Sequence, residues 1–282
     1  MVKEKLAIGT IVRLHRAPAQ SFTELLSLGM KHFQFGGPPD KYIYGDEGAA
    51  NTEALRETMS RYGVECTSVF LGFNDQDWSR PEETVGLVPP AYRSVRLVRA
   101  CREAVWAKSL GIDELVTHVG FVPEDRQSAE YIEFIRDLHE FVRFLDAMGM
   151  WLNFETGQET VEVLGNMIED LDMPNLGINL DPANLLIYDV DGPDVLVSQL
   201  GRYVRHLHCK DAVRPTEPGK RGRETPLGQG DTDFVNVLKS LLDMGFRGPL
   251  IIEREIAPSL AWKADLANAV ALLKGIKKEA GC

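Results

Sequence analysis

Short apolar runs alternate with longer amphipathic stretches along all 282 residues. Runs near Leu6–Leu14, His32–Gly36, Glu65–Phe70, Glu114–Val119, Trp151–Thr156, Leu176–Asp181, Val204–Cys209 and Pro249–Glu253 read as strands. Helical periodicity is clearest near Thr52–Tyr62, Tyr92–Leu110, Ser128–Met148, Thr160–Asp170, Asp233–Met244 and Leu260–Lys277. It is less sharp near Ser21–Gly29 and Gly192–Leu200. Strands that alternate with helices in this way imply a parallel sheet with crossover helices. Eight such units in 282 residues predict an α/β chain forming a single (β/α)8 TIM-barrel domain over 1–282. An open doubly wound sheet would carry a glycine-rich turn after the first strand, and "GTIVRLHRAPAQ" is not one.

Four strands carry a second pattern. "LNFE", "INLD", "RHLH" and "LIIE" each place an apolar residue before a final polar one. Alternate residues of a strand share a face. Phe154, Leu180, Leu207 and Ile252 should therefore face the helices, and Glu155, Asp181, His208 and Glu253 the barrel mouth. Singly, each has an ordinary explanation: Asp181 in "DPANLL" can cap a helix, and a lone histidine is usually a satisfied core residue. Together, three carboxylates and an imidazole in one cavity would force protonation unless a cation joins them. The donor set suits one divalent metal, Mn2+ or Mg2+ first, with Co2+ or Zn2+ as alternatives. Asn153, Asn179 and His206 lie one layer deeper and are expected to orient the ligands.

Composition narrows the partners. The formal charge of −11 disfavours a nucleic acid or an anionic membrane. No apolar run approaches the length of a membrane span, and the N-terminus lacks a signal-like core. The four cysteines, Cys66, Cys101, Cys209 and Cys282, are scattered without CxxC pairing, which suits a reduced, cytoplasmic protein. Two long connections, Gly72–Pro90 and Asp211–Asp231, follow strand ends and are candidates for lids or fixed caps.

"ETGQE", "NLDPANLL", "HLHCKD", "PLGQGDTDF" and "GPLIIERE", in this order, resemble the xylose isomerase-like TIM-barrel superfamily. The likeness runs from about Leu87 to the C-terminus and is strongest to the sugar phosphate isomerase/epimerase group, with its ketose 3-epimerases and inosose dehydratases. The resemblance implies metal ligation by Glu155, Asp181, His208 and Glu253, with Glu155 and Glu253 as catalytic acid and base. Endonuclease IV shares the barrel but uses extra histidines for a trinuclear zinc site. Here Asn184 replaces one of them and "SVFLGF" lacks another, so abasic-DNA cleavage is not expected. The ketose epimerases also place a substrate-binding histidine where Asn184 stands; its absence leaves the substrate open, and the Asn184 amide can still hydrogen-bond a substrate hydroxyl. Arg214 matches their substrate-binding arginine, and Glu159 is a candidate for a substrate-contacting acid. A homodimer is the usual assembly in this group.

The expected reaction is metal-dependent ketose epimerisation or isomerisation. Glu155 would abstract a proton beside the carbonyl, an enediolate would form, and Glu253 would return the proton. The alternatives are inosose-type dehydration and a non-catalytic sugar-binding barrel. Lys210 could contact the substrate or merely pair with an acid at the rim. His118 could line the pocket or pack, and Trp78 could stack on a sugar or on protein. Arg221 and Arg223, in "GKRGR", invite a phosphate or are solvated. The expected partner is a sugar or polyol ketone.

Overall fold

The computed structural model describes residues 4–217 and 219–281. Cys282 lies outside the described residues, as does Pro218 within the second long connection. Among the described residues, no helix is long and apolar enough to cross a membrane.

The first half of the chain runs β1 (Ile8–Val12), α1 (Pro18–Ser27), β2 (His32–Phe35), α2 (Asp40–Ile43), α3 (Gly45–Tyr62), β3 (Glu65–Phe70), α4 (Pro81–Thr84), α5 (Pro90–Ser109), β4 (Glu114–Thr117) and α6 (Ala129–Ala147). The second half continues with β5 (Trp151–Glu155), α7 (Val161–Leu171), β6 (Leu176–Leu180), α8 (Pro182–Ile187), α9 (Pro193–Leu200) and β7 (Val204–Cys209). It ends with the hairpin strands β8 (Asp211–Val213) and β9 (Arg223–Thr225), then α10 (Phe234–Asp243), β10 (Leu250–Ile252) and α11 (Leu260–Glu279).

Eight strands close into a barrel in the order β1-β10-β7-β6-β5-β4-β3-β2. The ring closes where β1 pairs in parallel with both β2 and β10. Helix starts follow local chemistry. Proline opens α1 and α5, while the Ser128 and Thr160 hydroxyls accept backbone N–H bonds at α6 and α7. Phe154, Leu180 and Leu207 are fully buried and share one core with Phe134, Leu138, Leu164 and Leu238 of the helices. Each such side chain contributes about 1.5–3 kcal/mol of burial free energy. That packing fixes the strand phase and turns the alternate polar residues toward the axis.

Several details differ from the sequence pattern. Helix α3 begins at Gly45, not near Thr52, and α1 begins at Pro18. Two helices, not one, follow β6, because "PANLLI" is too short to show a period. The second long connection holds the antiparallel pair β8–β9. Asn153 and His206 do not brace the four mouth residues. Asn153 Nδ2 donates to Glu114 Oε2 and to the Leu115 carbonyl, both at 3.0 Å. His206 Nε2 lies 3.5 Å from the same carboxylate, which Arg205 also grips. A buried acid at the start of β4 needs these donors, so the lower polar layer forms a floor around Glu114. Asn179 is buried between the layers, with no hydrogen-bond partner for its side chain among the described residues.

Candidate metal centre and catalytic cavity

Glu155 is the last residue of β5, and Glu253 follows β10 by one position. Asp181 follows β6 and His208 lies near the end of β7. One donor atom from each of the four lies within 4.8 Å of every other. Asp181 has two roles. Its Oδ1 caps α8, accepting from the Ala183 and Asn184 amides at 2.9 and 3.0 Å. Its Oδ2 has no hydrogen-bond partner among the described residues. The Thr156 hydroxyl clamps the Asp181 backbone, donating to its carbonyl and accepting from its amide, both at 2.8 Å.

His208 Nδ1 faces Glu155 Oε1 at 2.6 Å, Glu253 Oε2 at 3.3 Å and Asp181 Oδ2 at 4.0 Å. On the far side of the ring, Nε2 lies 3.0 Å from Gln34 Oε1, and Gln34 Nε2 donates to Ser68 Oγ at 2.9 Å. The Phe70 ring stacks on the imidazole with centroids 6.4 Å apart.

The cluster faces a cavity of about 740 Å3. That size suits a small sugar. His118, Asn184 and Lys210 line it. His118 Nε2 is 2.7 Å from Glu155 Oε2, and the Trp78 ring meets His118 edge-on from the first long connection. Gly157 leaves room for His118: a Cβ there would sit 2.7 Å from its Cε1. Asn184 donates to the Thr156 carbonyl and accepts from Lys210 Nζ at 3.3 Å. Lys210 also reaches Glu253 Oε2 at 3.2 Å and Glu255 Oε2 at 2.7 Å.

Arg214, the arginine matched to the epimerases, is placed against the β6–α9 connection. It bonds Asp189 Oδ1 at 2.9 Å and the Val190 and Asp191 carbonyls, and it does not line the cavity. Arg221 lines the cavity instead, along with Arg13, His15 and Tyr188. Arg223 lies in β9, away from it. Glu159 is buried, and its Oε1 has no hydrogen-bond partner among the described residues.

The electrostatics show crowding of like charges. Burial alone would raise the Glu155 carboxyl, but the imidazoles of His118 and His208 outweigh it and lower it to about 2. Burial raises Asp181 to about 7, and the Glu253 and Glu155 carboxylates add to this against the Lys210 ammonium. Burial lowers His208, yet Glu253 and Glu155 reverse this and raise it to about 10. Burial also raises Glu159 to about 7. In the metal-free protein the positive charge among these carboxylates comes from the His208 imidazole and from the Lys210 ammonium, whose Nζ is also 3.4 Å from Asp181 Oδ2. Asp181 Oδ2 and His208 Nδ1 make no hydrogen bond of ordinary geometry and face each other at 4.0 Å. Three carboxylates and one imidazole fit a divalent cation, which would also relieve the need for a proton on His208.

Fold and site together define a class, and comparison with known proteins gives the same class. The chain belongs to the xylose isomerase-like TIM-barrel family, whose model matches residues 22–276. It is 26% identical over 229 residues to an inosose dehydratase of Geobacillus kaustophilus, covering 74% of this chain and 73% of that protein. The crystal structure of a xylose isomerase domain protein from Planctomyces limnophilus superposes with a TM-score of 0.88 at 32% identity, over 99% of this chain and 100% of that one. A D-tagatose 3-epimerase-like protein superposes with a TM-score of 0.72 at 19% identity, over 98% of each chain.

Proposed function

We propose that this protein is a divalent-metal-dependent epimerase or isomerase of a small polyhydroxylated ketone. The observation that carries the reading is the convergence of four donor atoms within 4.8 Å at the mouth of the cavity. Glu155, Asp181, His208 and Glu253 would hold the metal, and their oxygen-rich set favours Mg2+ or Mn2+. When bound, the metal would polarise the ketone and stabilise negative charge on its oxygen.

The chain's own residues supply the rest. Glu155, with His118 Nε2 2.7 Å from its Oε2, takes the proton from the carbon beside the ketone. Glu253, with the Lys210 ammonium 3.2 Å away, returns a proton. The Asn184 amide is available to a substrate hydroxyl, and Phe70 and Trp78 line one side of the cavity. Proton transfer of this kind contributes about 10²–10⁴-fold.

A second reading is dehydration of a keto-polyol. Lys210 supports it, because an ammonium beside Glu253 and Asn184 can protonate a departing hydroxyl, and so does the likeness to inosose dehydratase. One experiment separates the two. The protein, loaded with Mn2+ or Mg2+, is incubated in D2O with a panel of ketoses and inososes and followed by NMR and ultraviolet absorbance. Deuterium beside the carbonyl with no new chromophore supports epimerisation or isomerisation, and a conjugated enone supports dehydration. Both readings require Glu155→Gln to abolish the reaction, so a fully active variant removes Glu155 from the base role.

A further inference from the structure

We propose that the cavity selects a ketone bearing an anionic substituent, a carboxylate or a phosphate, and that Arg13, His15 and Arg221 recognise it. That the ligand is a ketone rests on the proposed function. The anion site stands on different residues.

The chain carries a net charge of −11, and its arginines are mostly neutralised by acids. Arg93 pairs with Asp137, Arg96 with Asp75, Arg205 with Glu114, and Arg254 with Glu224 and Asp265. Arg13, Arg61, Arg102, Arg202, Arg221, Arg223 and Arg247 have no carboxylate partner among the described residues, and of these Arg13 and Arg221 line the cavity. His15 lines it too and is likewise without a carboxylate partner; all three side chains are solvent-exposed. Arg221 lies over the Tyr188 ring, 5.0 Å from its centroid, which steadies the stem and leaves its donors free. Arg13 crosses Gly36, where a Cβ would come within 3.2 Å of the arginine Cγ. The glycine leaves the space that the arginine stem occupies.

The placement favours a substituent remote from the reacting carbon. Arg13 and His15 follow β1, whereas Arg221 comes from the loop between β8 and β9. Arg13 and His15 also line an adjoining cleft of about 390 Å3 that includes Glu253 and Trp262. They therefore stand where the two spaces meet, as do Glu253 and Glu255. Lys210 cannot serve this purpose, because Glu253 and Glu255 already engage its ammonium. A guanidinium offers paired donors that match carboxylate and phosphate alike. In a cavity that also presents Glu155, Glu253 and Glu255, unpaired guanidiniums decide whether an anion is admitted or repelled.

The test uses the full chain loaded with Mg2+. Inorganic phosphate is titrated calorimetrically into the parent and into Arg13→Gln, Arg221→Gln and Arg223→Gln, each checked for native circular dichroism. The last variant removes the same charge from the same hairpin but away from the cavity. Binding should weaken by about 10-fold or more in each of the first two variants and hold in the third. Solvent-deuterium exchange is then compared for D-fructose, D-fructose 6-phosphate and 5-keto-D-gluconate. An anionic member should exceed the neutral sugar in kcat/KM by about 10-fold or more, and that preference should shrink in the Arg13 and Arg221 variants. The anion preferred distinguishes phosphate from carboxylate. A neutral ketose processed as well as both anionic ones overturns the proposal and leaves the proton-transfer reading intact. If no ketone exchanges, the proton-transfer reading fails and the titration decides alone. Phosphate binding lost in the Arg13 and Arg221 variants then upholds the anion site, and equal or undetectable binding in all forms overturns it.

Discussion

Replacing Gln34 with leucine tests whether the support behind His208 matters as much as the donors in front of it. The amide is fully buried, 3.0 Å from His208 Nε2 and 2.9 Å from Ser68 Oγ. With Gln34 Oε1 as acceptor, Nε2 keeps its proton, so Nδ1 is the nitrogen left to bind a metal beside Glu155, Asp181 and Glu253. Leucine keeps most of the volume and removes both bonds. Two buried polar groups then lose partners, so the metal-free protein should lose about 2–4 kcal/mol of unfolding free energy. The ring also loses the contact that sets its tautomer, and Mn2+ affinity should fall about 10–100-fold. Gln34→Glu, which keeps an acceptor at this place, should retain most of that affinity. Urea unfolding of the metal-free chain and calorimetric titration with Mn2+ measure the two effects. A well-folded leucine variant that binds Mn2+ as tightly as the parent would refute the argument.

Three further outcomes are expected. Glu114→Gln should destabilise the fold by about 3 kcal/mol at neutral pH. Burial raises the Glu114 carboxyl, but hydrogen bonds from His206 and Arg205 outweigh it and hold the folded value below the ordinary one. Its stabilisation is therefore complete above the ordinary carboxylate range and is lost as pH falls toward the depressed folded value. Urea midpoints across that acid range should converge for parent and variant; parallel curves would contradict this. Gly157→Ala forces a Cβ to within 2.7 Å of His118 Cε1, so the ring must move off Glu155 and kcat should drop at least about 10-fold with the fold retained; unchanged kcat would count against any role for His118. Removal of divalent metal with EDTA should lower the thermal midpoint and abolish turnover. Mg2+ or Mn2+ should restore both, whereas a chelated protein with full turnover would exclude a metal-dependent reaction.

Strand phase was readable because burial is periodic and each of the four mouth strands ends polar. The floor was not, since the group that claims Asn153 and His206 is Glu114, on another strand. Gln34 carried the same signal as the four mouth residues. It is the one polar residue between the two phenylalanines of "HFQF", yet its partner His208 lies 174 residues away. Loops carry no period at all. Arg214 and Arg221 look alike in sequence, and only the course of the β8–β9 hairpin sends Arg221 to the cavity while Asp189 captures Arg214.

One limb of the site is held less firmly than the other three. Strand β10 has three residues, and Glu253 hangs one position past its ladder on a long 3.4 Å amide contact to the Cys209 carbonyl. Glu155 and His208 lie within continuous strands, and Asp181 is pinned on both sides of its peptide by Thr156. The grip thus has three stiff jaws and one pliant jaw. A swap between ions of different radius, or a shift in substrate between half-reactions, would be absorbed at Glu253 while the remaining geometry stays put.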